Sequence, residues 1–318
     1  MTQRHRPAVV ALRLLHAVLL LPCIALASPF AYVPNEKSGT VSVIDSASDT
    51  VVAEIKAGAK PRGLAVAGNT LYVSDQPADA LVMVDLKSRK ATGTVSLGES
   101  PEGVSASPAG DWIAAASEIS NSVNFINTSS NRKEFSVATA GKNPEHAVFS
   151  PDGKLMLVSA EEADSVDLVD VAQRKEVASI KVGKRPRGIA FRPDGAVAYV
   201  ACELASTVYA IDVPSRRVLK EIKAGNFSNG VTMAPDGSRV YVSNGKDGTV
   251  SVIDTASNTV VATVPVGKRP WNMAITPDGK KLYVANGRSN SVSVIDTATN
   301  SVSKEISVGE MPWGVVIR

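Results

Sequence analysis

Cysteine, histidine and aromatic residues are scarce in this chain of 318 residues, which has two Cys, three His and only 5% Phe, Tyr and Trp together. His5, His16 and Cys23 fall in the first 27 residues, leaving Cys202 and His146 as the only such side chains in residues 28–318. That stretch therefore cannot hold an internal disulfide, a Cys/His zinc cluster, a C-x-x-C redox pair or a haem-attaching C-x-x-C-H. An excess of one charge is lacking as well. Arg4, Arg6 and Arg13 are the only charged residues before position 28, so of 34 basic residues 31 remain, against 31 acidic ones. A balanced chain has no general electrostatic pull toward nucleic acid or anionic membrane. After the first segment no apolar run approaches the ~20 residues of a membrane helix. What is present, 44% hydrophobic and 20% charged residues with 23 Gly and 18 Pro, is the composition of a folded protein.

Residues 1–27 have the layout of a secretory signal peptide. Arg4 and Arg6 open it, Ala8 to Leu21 is apolar apart from Arg13 and His16, and Ala25-Leu26-Ala27 ends it. This predicts cleavage before Ser28 and a mature chain, 28–318, in the periplasm.

Two independent series show an internal repeat. Gly58, Gly98, Gly141, Gly183, Gly225, Gly267 and Gly309 open short G-x-x-P segments or their equivalents at steps of 40, 43, 42, 42, 42 and 42. Asp45, Asp85, Asn127, Asp170, Asp212, Asp254 and Asp296 close V-x-V-I-D-like runs at steps of 40, 42, 43, 42, 42 and 42. A fixed period of this size marks a repeat architecture whose units bury their faces on one another. Each unit reads as four short β-branched runs bounded by turn residues, as in Gly230 to Met233, Arg239 to Val242, Thr249 to Ile253 and Thr259 to Val264. Pro235-Asp236-Gly237, repeated from 151, 193 and 277, supplies the turn between the first two runs. The expected fold is an all-β, seven-bladed propeller of four antiparallel strands per blade, with no helices. The chain starts on a second strand, Ala31-Tyr32-Val33, and ends just after a first strand, Gly314 to Ile317. Its two ends should therefore share the closing blade and leave no free sheet edge.

Tyr241-Val242-Ser243-Asn244 and Tyr283-Val284-Ala285-Asn286 resemble the YVTN β-propeller repeat. Tyr32 to Asn35 is close to it, and Tyr72 to Asp75 and Tyr199 to Cys202 match in part. The resemblance spans residues 31–318, although Ala114 and Leu157 replace the tyrosine in two units. In size and layout the chain is also similar to periplasmic propellers associated with pyrroloquinoline-quinone (PQQ)-dependent alcohol catabolism. That resemblance implies a partner protein or transport system that holds the quinone, and no cofactor on this chain.

The repeated Asp/Asn residues read as turn formers, the tyrosines as packing between blades with bonded hydroxyls, and the seven glycines as conformational. Function is expected where the repeat breaks down. The residue before each first-strand glycine, or its replacement, runs Arg62, Glu102, Glu145, Arg187, Asn229, Trp271 and Trp313, and His146 and Asn272 replace two of those glycines. After the second strand the series is Glu36, Gln76, Glu118, Glu161, Glu203, Gly245 and Gly287. This predicts an amphipathic channel mouth that binds a small molecule or an exported protein without catalysis, formed by Arg62, Glu102, Glu145, His146, Arg187, Asn229, Trp271 and Trp313. Phe227, in an Asn226-Phe227-Ser228-Asn229 segment that replaces G-x-x-P, joins that set. The alternatives are lactone hydrolysis with His146 as base, assisted by Glu145, Arg187 and Glu102, and single-stranded nucleic-acid binding. The latter would stack bases on Trp271, Trp313 and Phe227 and hold phosphates with Arg62, Arg187, Lys268 and Arg269. No metal site is expected.

Overall fold

The computed structural model describes residues 1–2 and 29–318, so the signal-peptide expectation lies outside the described residues. Residues 29–318 form seven four-stranded antiparallel sheets. Six are contiguous in sequence, running from Pro61 to Ser96, Pro101 to Ala138, Pro144 to Lys181, Pro186 to Lys223, Ser228 to Pro265 and Pro270 to Ser307. In the seventh, Val316–Ile317 pairs with Phe30–Asn35, which continues into Thr40–Asp45 and Thr50–Lys56. The two ends of the chain thus close the ring as expected. The seam is secured by Trp313 N–H on the Pro34 carbonyl at 2.9 Å and by reciprocal bonds between Phe30 and Arg318.

Burial within a blade follows from its place in the ring. The second and third strands are buried on both faces, as in Leu282 to Asn286 and Ser291 to Ile295, because each is sandwiched between neighbouring blades. The fourth strand is the outer rim and is exposed except for one residue that reaches inward, such as Ile222 or Ile306. Seven apolar clusters fill the spaces between blades, one of them joining Ala31, Val33 and Ile44 to Tyr283, Val292 and Ile306 across the seam.

The repeated turn residues do what their chemistry predicts. Asp254 Oδ1 accepts from Ser257 N–H, and Asp85, Asp170 and Asp212 do the same in their blades. Three of the repeat tyrosine hydroxyls cross to the next blade. Tyr72 donates to Asn131 Oδ1 at 2.6 Å, Tyr199 to Asn258 Oδ1 at 2.7 Å, and Tyr283 to Asp49.

Two expectations need correction. Two single-turn 3₁₀ helices, Gln76–Ala78 and Glu161–Ala163, stand between second and third strands. Each is stopped by an aspartate in the left-handed region, Asp79 or Asp164. The repeat glycines are also not conformational as a class, since only Gly58, with φ +113°, has a backbone that favours glycine. The rest are small because of crowding, which for Gly141, Gly225, Gly267 and Gly309 comes from the residue ending the second strand and for Gly98 and Gly183 from Ser120 and from Ala205 and Tyr209. A Cβ on Gly225, Gly267 or Gly309 would sit 2.5, 2.6 and 2.7 Å from the Cγ of Asn244, Asn286 and Asn35.

Candidate functional site

The seven first strands line the channel, and each leaves its ladder just after its opening residue. Register shifts lie between Pro101 and Val104, Pro144 and Ala147, and Pro186 and Ile189, among others. Such a bulge redirects a side chain, and here it turns the residue after the proline into the mouth. Second-strand serines fix the result. Ser74 accepts from Gly63 N–H and donates to the Glu102 carbonyl of the next blade at 2.8 Å, and Ser243 joins Gly230 N–H to the Trp271 carbonyl at 2.6 Å. The glycine level below is closed by backbone contact, since a Cβ on Gly103 or Gly188 would come 2.6 Å from the carbonyl oxygen of Glu145 or Asn229. His146 and Asn272, which bear side chains at this level, occupy the axis and help line a cavity of about 130 Å³.

A second layer comes from the rim. Ser100, Asn143, Arg185, Phe227, Arg269 and Met311 have φ between +55° and +63°. Hydrogen bonds hold the backbone in this unusual region. For Ser100, Asn143 and Arg185, N–H donates to Asp79, Asn121 and Asp164 of the preceding blade. The carbonyls of Ser100, Asn143, Arg185 and Met311 accept from the N–H of Glu118, Glu161, Glu203 and Glu36. This clip points the glutamates at the axis.

Above the His146 level a funnel of about 380 Å³ opens, lined by Arg62, Glu145, Arg187, Asn229, Trp271 and Trp313 from the first strands and by Glu36, Gln76, Glu118, Arg185, Asn272, Arg269 and Met311. Five glutamates and four arginines form its ion-pair lattice. Arg187 reaches Glu145 and Glu161, each at 2.5 Å, and Glu203 at 3.2 Å. Arg185 reaches Glu161 at 3.1 Å, and Arg269 reaches Glu203 at 2.5 Å. Arg62 pairs with Glu102 and, at 3.3 Å, with Glu36. Glu118 makes no ion pair among the described residues and accepts from Ser100 Oγ at 3.0 Å. Glycines make room on the other side, where the Trp271 ring lies over Gly287 and the Arg269 guanidinium over Gly245.

Burial governs the titration of this lattice. It pushes Glu102 up to about 9, with Glu145 adding to the effect and Arg62 opposing it. Glu161 is pushed up to about 7 by burial and by Glu145, against the pull of Arg187 and Arg185. Glu145 also feels burial, but Arg187, then His146 and Arg62, hold it below the usual carboxylate range. Burial lowers the His146 imidazole, with Glu145 opposing, so the ring is neutral at neutral pH.

The structure brings eight of the nine expected site residues together at the axis. Glu102 lies just beneath the funnel on Arg62. His146 lies in the first strand of its blade and stacks on Trp313, with ring centroids 5.5 Å apart and planes 13° from parallel. Its Nδ1 is buried and has no hydrogen-bond partner. Phe227 is the exception. It faces a neighbouring groove, with the Lys246 and Arg269 cations 5.6 and 5.5 Å from its ring. The nucleic-acid arrangement is not formed, because Trp313 is 9% exposed and Arg62, Arg187 and Arg269 are already paired. Cys202 is fully buried and its thiol is pushed up to about 12 by burial, so it is an inert packing residue. No described helix is long and apolar enough to cross a membrane.

The family model described as "Lactonase, 7-bladed beta-propeller" matches residues 139–310, more than half of the chain. The chain belongs to the seven-bladed β-propeller lactonase family. The model of the cytochrome D1 heme domain matches residues 16–193. No curated protein matches. Among solved structures, Kuenenia stuttgartiensis hydrazine synthase is 22% identical, with a TM-score of 0.78 over 89% of this chain and 99% of that one. A functionally unknown protein from Desulfotomaculum acetoxidans is 18% identical, with a TM-score of 0.79 over 91% and 99%. A protein of Bacteroides fragilis provisionally named a 6-phosphogluconolactonase is 20% identical, with a TM-score of 0.76 over 93% and 99%. At these identities the likeness establishes the fold and no activity. The heme in the second family's description does not fit the residues present. A heme macrocycle is a broad apolar plate, whereas the funnel of about 380 Å³ is walled mainly by charged and polar side chains, with Met311 the one axial-type ligand in that wall and His146 covered by Trp313.

Proposed function

We propose that the central funnel binds a small, uncharged, hydroxylated ring of the sugar or sugar-lactone class. The observation that carries this reading is the wall itself, in which the Trp271 indole stands beside carboxylates and guanidiniums that are paired with one another. Indole faces take the C–H face of a ring, and carboxylates accept its hydroxyls. All four arginines hold carboxylates, so none is free to receive a phosphate or a ligand carboxylate. Membership of the lactonase family supports the lactone end of the class. Isothermal titration with D-glucono-1,5-lactone and with neutral monosaccharides should show binding that is lost in Trp271→Ala. Absence of heat with every neutral ring, or preference for the phosphorylated lactone, would overturn the reading.

Hydrolysis is a second reading, favoured by the unpartnered Nδ1 of a neutral His146. The imidazole would take a proton from water as its oxygen bonds to the lactone carbonyl carbon, which places the negative charge on the carbonyl oxygen of a tetrahedral intermediate. The ring C–O bond then breaks and the imidazolium returns the proton to the leaving alkoxide. Turnover unchanged in His146→Ala would exclude it. The proposed work outside the cytoplasm rests on the 1–27 segment, and an accessory role beside a PQQ-dependent dehydrogenase or transport system rests on the family resemblance. A pull-down from periplasmic extract tests the latter, and recovery of no such component would count against it.

A further inference from the structure

We infer that the funnel holds one calcium ion on Glu102, Glu118 and Glu145. Carboxylate oxygens of these three residues lie within 4.8 Å of one another. Oxygens this close can share one hard cation, and a calcium shell, with Ca–O about 2.4 Å, accommodates separations of up to about 4.8 Å. Each carboxylate has one oxygen engaged and one left over. Glu102 Oε1 takes Arg62 and Gln76, Glu118 Oε2 takes Ser100, and Glu145 Oε1 takes Arg187. The decisive atom is Glu102 Oε2, which is buried without any hydrogen-bond partner on a side chain that is 0% exposed. A buried oxygen left unmatched costs free energy that a cation would recover.

The surrounding charges favour a cation at this place. Five glutamates and four arginines are ion-paired, and one glutamate of the funnel wall is left over. Glu118, the glutamate without an ion pair, belongs to the trio. An all-oxygen donor set selects a hard cation over a transition metal. Glu118 and Glu145 also line the funnel, so the remaining coordination positions face its solvent.

The inference concerns the cation alone and stands whichever organic ligand the funnel takes. The test uses the intact protein, freed of metal with a chelator, titrated with calcium chloride by calorimetry and followed by thermal unfolding. One equivalent should bind and raise Tm by several degrees. Glu118→Gln should weaken binding at least tenfold while leaving the metal-free Tm within a degree or two, because Glu118 is half-buried and has no ion pair to lose. Glu102→Gln should abolish binding. A wild-type protein that binds no calcium at millimolar concentration would overturn the inference, as would a calcium-induced Tm rise of equal size in Glu118→Gln.

Discussion

Arg187 is the hub of the funnel, and replacing it tests whether the lattice is an electrostatic unit. Its side chain is 14% exposed and serves Glu145, Glu161 and Glu203, whose side chains are 6%, 4% and 2% exposed. In Arg187→Met, Glu161 keeps Arg185, and Glu203 keeps Arg185 and Arg269. Glu145 loses its only ion pair among the described residues. Orphaning one buried charge costs about 3–5 kcal/mol, and Met keeps much of the volume. For a domain of this size, at about 2.1 cal/mol/K of unfolding entropy per residue, that corresponds to roughly 5–8 °C in Tm. The sign with pH follows from Glu145, which Arg187 holds below its ordinary value against the effect of burial. A depressed carboxylate stabilises above its unfolded pKa and loses that contribution as pH falls through the folded value. The variant's deficit should therefore be complete near pH 8 and shrink below about pH 4.5. Urea unfolding of the chelator-treated, metal-free protein, followed by circular dichroism at both pH values, gives the two differences. A deficit below about 1 kcal/mol near pH 8, or one of equal size at acid pH, would refute the reasoning.

Glu161 behaves oppositely. Its folded pKa of about 7 lies above the unfolded value, so its contribution is present below the unfolded pKa and is lost as pH rises through 7. Glu161→Gln should gain stability relative to wild type between about pH 5 and 8, and a relative loss over that window in chemical unfolding would contradict this. Tyr283→Phe removes the seam hydrogen bond to Asp49 and should cost about 1–2 kcal/mol in the same assay. Tyr241→Phe should cost less than half as much, because Asn300 Oδ1, the equivalent acceptor, is buried without a partner. Gly103→Ala drives a Cβ to 2.6 Å from the Glu145 carbonyl and should cost about 3 kcal/mol or more, and a thermal scan matching wild type would show that the channel wall yields.

The fold was legible because turn chemistry and spacing repeat. Asp254 with Ser257 and Tyr199 with Asn258 are local and neighbour-blade contacts that recur at one period, so seven copies reinforce a single reading. The site was legible where its side chains share one repeat position, as from Arg62 to Trp313. Arg185 and Met311 were missed because the residue before the first-strand proline reads as turn, and its φ of about +60° is not visible in a sequence. The signal was still present, since Arg185 and Arg269 stand at that one position in the repeats on either side of the one that carries Phe227. Phe227 occupies the same position and was misplaced, because Lys246 and Arg269 draw its ring into the adjacent groove. The glycines were read by dihedral preference when crowding by Asn244 and Asn286 is the reason for them, a contact made only once the strands are assembled.

The most direct test of the central claim is calorimetric titration of the protein with D-glucono-1,5-lactone and, separately, with its 6-phosphate. A paired lattice beside the Trp271 indole predicts binding of the neutral ring, loss of that binding in Trp271→Ala, and weaker binding of the phosphate ester. Tighter binding of the phosphate ester, or binding of the neutral ring that Trp271→Ala leaves intact, would contradict it.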